Sequence, residues 1–103
     1  MTAPRFIPRQ YCAVPSEFGH AKEVAWRRPS GSSDDLDQWS AARMQHAVAV
    51  AIREALASRG LTLDQYAEVS GMNRTRLGRL LRGDIVMRLE DIANARRNLG
   101  ITS

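Results

Sequence analysis

The chain has 103 residues, 44% of them apolar and 25% charged, the composition of one small globular domain rather than of a disordered or membrane-embedded chain. Its longest uninterrupted apolar run, residues 47–52, is far short of the roughly 20 residues a bilayer span needs. Fifteen basic residues against 11 acidic ones give +4 and a pI near 10.2, a balance suited to polyanionic partners.

The opening MTAPRFIPRQ carries prolines and arginines where a secretion signal carries its apolar stretch. A single cysteine, Cys12, closes no intrachain disulfide and builds no cysteine zinc site by itself. A cytoplasmic, nucleoid-associated setting is therefore expected. The charge is segregated along the chain: residues 1–33 and 59–83 each carry five basic and two acidic groups, while 34–58 carry two and four. Fourteen of the 15 basic residues are arginine, the side chain whose planar fork matches phosphate and guanine.

Residues 1–33 read as an N-terminal arm. They hold all four prolines and close on Ser30-Gly31-Ser32-Ser33, a linker-like run, yet they also contain Phe6, Tyr11, Phe18 and Trp26. Residues 10–14 and 22–28 have the composition of short strands, so a hairpin across 15–21 is one reading. An arm docked on its own domain or on a partner is the plainer one.

Residues 34–103 read as a helical domain. Ser33 or Asp34 caps a first helix with Asp34, Asp35 and Asp37 at its positive end, and Gly60 stops it. Its apolar stripe runs through Leu36, Trp39, Met44, Ala47, Val48, Ala51, Ile52, Ala55 and Leu56, and its length suggests a break near Ser40. Trp39 and Met44 are expected either to meet Trp26, Tyr11 or Phe18 of the arm or to pack across a dimer interface. A second helix starts behind Thr62 and ends at Gly71. Asn73 caps a third over 74–82, ended by Gly83, and a fourth runs over 89–98 before Gly100. The predicted fold is all-α.

Two short helices joined at a glycine turn, the second rich in arginine, have the form of a helix-turn-helix. The stretch LTLDQYAEVSGMNRTRLGRLLRG at 61–83 resembles the Xre/lambda-repressor-like (Cro-type) DNA-binding family. Ala67, Gly71, Met72 and Asn73 match the family's small residue, turn glycine, following apolar residue and polar cap. Leu77, Leu80 and Arg82-Gly83 match the recognition helix, and Leu89-Glu90, Ile92, Ala95 and Leu99-Gly100 match the next helix. The resemblance covers residues 44–101. It implies a bundle of about four helices, duplex DNA as partner, and a homodimer. The sequence departs from the family at Leu63, where many members have glutamine, at Met87-Arg88 in place of proline-serine, and in ending at Ser103 before the usual fifth helix.

At about 100° per residue, Leu77, Leu80 and Leu81 fall on one side of the third helix. Arg74, Thr75, Gly78, Arg79 and Arg82 fill the opposite side, with Arg76 on its flank. Gly78 costs about 1 kcal/mol of helix propensity relative to alanine, and its missing side chain would let backbone and bases approach closely. The resemblance implies base contacts from Arg74, Thr75, Arg76 and Arg79. Thr62, Asn73 and Arg82 suit phosphates, and Arg5, Arg9, Arg27 and Arg28 of the arm are candidates for added phosphate or minor-groove contacts.

His20, His46 and Cys12 lack metal-ligand spacing, and the sequence shows no paired acid and base, phosphate loop or nucleophile motif. No enzymatic activity, metal or cofactor is expected. The leading expectation is a sequence-specific double-stranded DNA-binding transcription regulator, most simply a repressor. The alternatives are an antitoxin-like module whose arm binds a protein while the helix-turn-helix autoregulates, and a nucleoid-type binder without base preference.

Overall fold

Local signals in the sequence start and stop each helix. The computed structural model describes residues 6–102, and among these residues the chain forms four α-helices and no strand. Helix α1, Ser33–Arg59, starts behind Ser32, whose hydroxyl accepts from the Asp35 N–H at 3.2 Å, and carries Asp34 and Asp35 in its first turn. Helix α2, Leu63–Ser70, begins with a reciprocal capping box: Thr62 Oγ1 accepts from Gln65 N–H at 3.1 Å and Gln65 Oε1 from Thr62 N–H at 2.8 Å. Helix α3, Arg74–Arg82, is capped by Asn73 Oδ1, which accepts from Arg76 N–H at 3.0 Å. Helix α4, Leu89–Leu99, has no neutral polar cap; the Asp91 carboxylate accepts from the Arg88 N–H at 2.8 Å instead.

Gly71 is where backbone freedom matters most. It takes φ +75°, reversing the chain between α2 and α3 within three residues, in a region that side-chain-bearing residues rarely occupy.

The expected break in α1 near Ser40 is absent; the helix runs unbroken for 27 residues. Neither proline nor glycine interrupts it, and its first turns are covered by the arm, where Tyr11 Oη donates to Asp35 at 2.7 Å and lies 2.9 Å from Gln38 Oε1. The expected apolar stripe is also displaced. Leu36 and Met44 are exposed, while Gln45, His46 and Ala49 turn inward beside Val48, Ile52 and Leu56. Packing against the arm as well as α3 and α4 makes the buried surface of α1 wider than its hydrophobic stripe, and the inward Gln45 and His46 both find partners, His46 Nδ1 accepting from the Gly19 N–H at 2.9 Å. Gln45 Nε2 donates to the carbonyls of Leu80 at 3.0 Å and Ile85 at 2.9 Å, and its Oε1 accepts from Met87 N–H at 2.8 Å.

The arm folds back onto the helices without forming the strands its composition suggested. Pro8 and Pro15 each open a short 3-10 turn, Pro8–Tyr11 and Pro15–Glu17, and these curl the chain where a ladder would need it extended. A single antiparallel bridge, Cys12 to Trp26, survives between them, flanked by Ala13 N–H to Ala25 O at 2.9 Å and Arg27 N–H to Tyr11 O at 2.8 Å. Cys12 and Phe18 join Ile52, Tyr66, Leu77 and Leu81 in one core. Phe18 lies edge-on to both Trp26 and His46 and covers Gly83, where a Cβ would collide with its ring. The ring partners of Phe18 and Trp26 are each other and His46, and Met44 lines a cleft with Trp26 and His46; Trp39 holds the Arg43 guanidinium 4.5 Å from its ring centroid. No helix of the described residues is long and apolar enough to cross a membrane.

Candidate functional site

Helix α3 is held from behind by Leu77, Leu80 and Leu81, all buried, and from its C-terminal end by Gln45. Its helical repeat then puts Thr75, Arg79 and Arg82 outward, with Arg74 and Gly78 along one edge and Arg76 along the other. Thr75 and Arg79 are exposed, and Arg79 has no side-chain partner among the described residues.

Arg74 and Arg82 lie one turn to either side of Gly78, and their guanidinium tips close over it. Each comes to 3.1 Å of where a Cβ would stand, which leaves Gly78 buried. The bare glycine expected to admit close approach is therefore roofed by two cations, because arginine stems at i−4 and i+4 extend along the same stripe. Outer carboxylates hold the two: Arg74 Nε donates to Asp64 at 2.6 Å and Arg82 Nε to Asp84 at 3.2 Å.

Arg76 is paired within the chain. Its Nη1 and Nη2 donate to the two oxygens of Asp91 on α4 at 2.7 and 2.8 Å, a bidentate fork that ties the flank of α3 to the start of α4. Its position sets it about 100° from Thr75, toward α4, so the nearest carboxylate claims it. Burial works against ionisation of Asp91, but the Arg76 fork and the Arg88 N–H outweigh it and hold the carboxyl below its ordinary value. The same hydrogen bonds raise the Arg76 pKa.

The remaining candidates divide. Thr62 and Asn73 are exposed at the starts of α2 and α3, each using a side-chain oxygen as a helix cap. Arg9 is brought to the end of α3: its N–H donates to Gly83 O at 3.0 Å and its Nε sits 3.1 Å from Asp84, the carboxylate that Arg82 also uses. Arg27 and Arg28 instead line a cleft with Tyr11, Asp35 and Gln38 at the start of α1. Arg5 lies outside the described residues. Among those residues no cluster of His, Cys, Asp and Glu could hold a metal ion.

One cation at this site was not singled out from the sequence. Arg53 lies on the stripe of α1 that carries Gln45 and Ala49, at four-residue steps facing α3. Its Nε is buried and has no hydrogen-bond partner among the described residues. Burial, and then the charges of Arg82 and Arg74, push its pKa below the ordinary arginine value. His20 of the arm is lowered too, by burial and by Arg53. The signal available in the sequence was the Gln45-Ala49-Arg53 spacing, unreadable without knowing which face of α1 meets α3.

Comparison of the chain with family models, with curated proteins and with solved structures gives no match.

Proposed function

We propose that the chain is a sequence-specific duplex-DNA-binding transcription regulator of the Xre/lambda-repressor-like type, acting as a repressor and as a homodimer. In this reading α2 and α3 are the helix-turn-helix, and α3 enters the major groove. The observation that carries it is the division of α3: three buried leucines fix one side, while Thr75, Arg79 and Arg82 stand outward with no carboxylate on the helix itself. Arg79 and Thr75, with Arg74 beside them, are the base readers. Thr62, Asn73, Arg82 and Arg9 flank them as phosphate ligands. Arg76 is assigned to holding α3 on α4.

The antitoxin-like reading asks for an arm that orders on a protein partner. Against it, Pro8, Cys12 and Phe18 are buried against the chain's own helices, so these anchors of the arm have their contacts without a partner protein. For the homodimer, exposed Met44 and Leu89 beside an apolar groove between α1 and α4 give a surface on which a second copy can close.

Selection from a random duplex pool with the full-length protein tests the proposal. Two inverted half-sites about 10 base pairs apart are expected for a dimer with one recognition helix per half-site. A lone half-site would refute the dimer. Retention without enrichment, vanishing steeply with salt, would refute sequence-specific regulation.

A further inference from the structure

Two arginines converge on the α1 edge of α3, and a third, Arg53, lies on the face of α1 that packs there, near enough for their charges to act on it, so that cations outnumber carboxylates. Arg74 and Arg82 converge over Gly78, and their acidic partners, Asp64 and Asp84, lie at the two outer ends of the stripe. Asp84 is already shared with Arg9. Arg53 approaches from α1, one turn beyond Ala49, and no carboxylate lies within ion-pair distance of it among the described residues. Its Nε–H is removed from water without an acceptor. A cation partly removed from water near two further guanidiniums disfavours the empty site, and an anion that accepts from the outer nitrogens of all three relieves the repulsion.

We propose that a phosphate group is the counter-ion of Arg53, Arg74 and Arg82, bound between α1 and the near edge of α3. The inference rests on the DNA-binding reading for its source: a backbone phosphate of the strand that flanks the groove on the α1 side. A tetrahedral oxyanion has the oxygens to accept from three forks, and guanidinium matches it in geometry and weak hydration. Arg74 and Arg82 are half-exposed and their carboxylate partners are surface pairs, which contribute little and are readily exchanged for a phosphate. The assignment moves Arg74 from pure base reading to the phosphate edge and adds Arg53, a residue of α1, to the contact surface. The bare Gly78 has its use here, since a side chain at that position would stand between the two cations.

Two measurements on the full chain decide it. In the first, the arginine Nε–H resonances are followed by heteronuclear NMR as inorganic phosphate replaces chloride at constant ionic strength. The Arg53 signal should move in a saturable way, together with those of Arg74 and Arg82, and further than those of Arg27 and Arg28. In the second, binding of a labelled random-sequence duplex is measured over about 50 to 200 mM salt for the wild type and Arg53→Gln. The variant should bind more weakly on every sequence, with a log–log salt slope smaller by about one. An Arg53 signal that ignores both phosphate and duplex, or an unchanged slope in a folded variant, overturns the phosphate site and leaves the DNA reading standing. A response to inorganic phosphate with no binding to any duplex keeps the site and refutes its DNA source. If Arg53→Gln fails to fold, the wild-type Arg53 resonance on adding duplex decides alone.

Discussion

Arg76→Ala separates an arginine that holds the fold together from Arg79, the proposed base reader on the same nine-residue helix. The fork onto Asp91 consists of two charge-assisted bonds at 2.7 and 2.8 Å, with Asp91 nearly buried and the Arg76 side chain 30% exposed. Removing one partner of a fully buried pair costs about 3–5 kcal/mol, and exposed pairs contribute about 0–1 kcal/mol. With one partner on each side of that divide, and Arg88 N–H still donating to Asp91, we expect a loss of about 2–3 kcal/mol. At about 4–8 °C per kcal/mol for a domain of this size, the melting temperature should fall by about 10–20 °C. Thermal and urea melts followed by circular dichroism measure it, and the Arg76→Ala/Asp91→Ala double-mutant cycle isolates the pair. The pH dependence has a definite sign. Asp91 titrates below its unfolded value of about 3.9, so its contribution is complete above that pH and is lost as pH falls through the lower folded value. The stability gap between wild type and variant should therefore close in acid. A variant as stable as the wild type that loses preference at one base pair would refute the assignment, as would a gap that persists in acid.

Gln45→Ala should destabilise the fold by about 2–4 kcal/mol, because it leaves the carbonyls of Leu80 and Ile85 and the Met87 N–H without partners; a denaturant midpoint within error of wild type would contradict this. Arg79→Ala should change stability by no more than about 0.5 kcal/mol, since the side chain has no partner among the described residues, yet relax one base position by about 1–3 kcal/mol in competition binding. Both tyrosines should resist alkali: burial, then the hydrogen bond and charge of Asp35, push Tyr11 up to about 12, and burial with the charge of Asp91 raises Tyr66. Ultraviolet absorbance titration should show less phenolate near pH 10 in the folded protein than in the unfolded one. The matching stability is present below the unfolded tyrosine value and lost as pH rises past it.

The helices were legible because their signals are local. Thr62 and Asn73 cap the helices expected behind them, and the glycines at 60, 71, 83 and 100 end the helices in a conformation that favours glycine. Helix α1, in contrast, takes its cap from Ser32 and not from Ser33 or Asp34, since the Ser32 hydroxyl is the one that reaches the Asp35 N–H. The facing of α3 was equally readable, since leucines at 77, 80 and 81 repeat with the helix. The arm misled because composition gave residues 10–14 and 22–28 strand character, whereas the prolines at 8 and 15 start 3-10 turns and leave one bridge.

By itself, the sequence determined that four helices form and that glycines end them, and that α3 opposes leucine to arginine. Tertiary structure decided what each polar side chain does. Arg76 and Arg79 are the same residue type one turn apart, yet Asp91 pairs with the first and no described residue forms a side-chain hydrogen bond or ion pair with the second. Gln45 and His46 turn inward while Met44 faces water, because the arm and α3 together enclose more of α1 than its apolar stripe. Arg53 came under the charges of Arg74 and Arg82 only when α1 was laid against α3. Capping and periodicity act over a few residues of one chain, whereas ion pairing and desolvation depend on neighbours that sequence distance does not reveal.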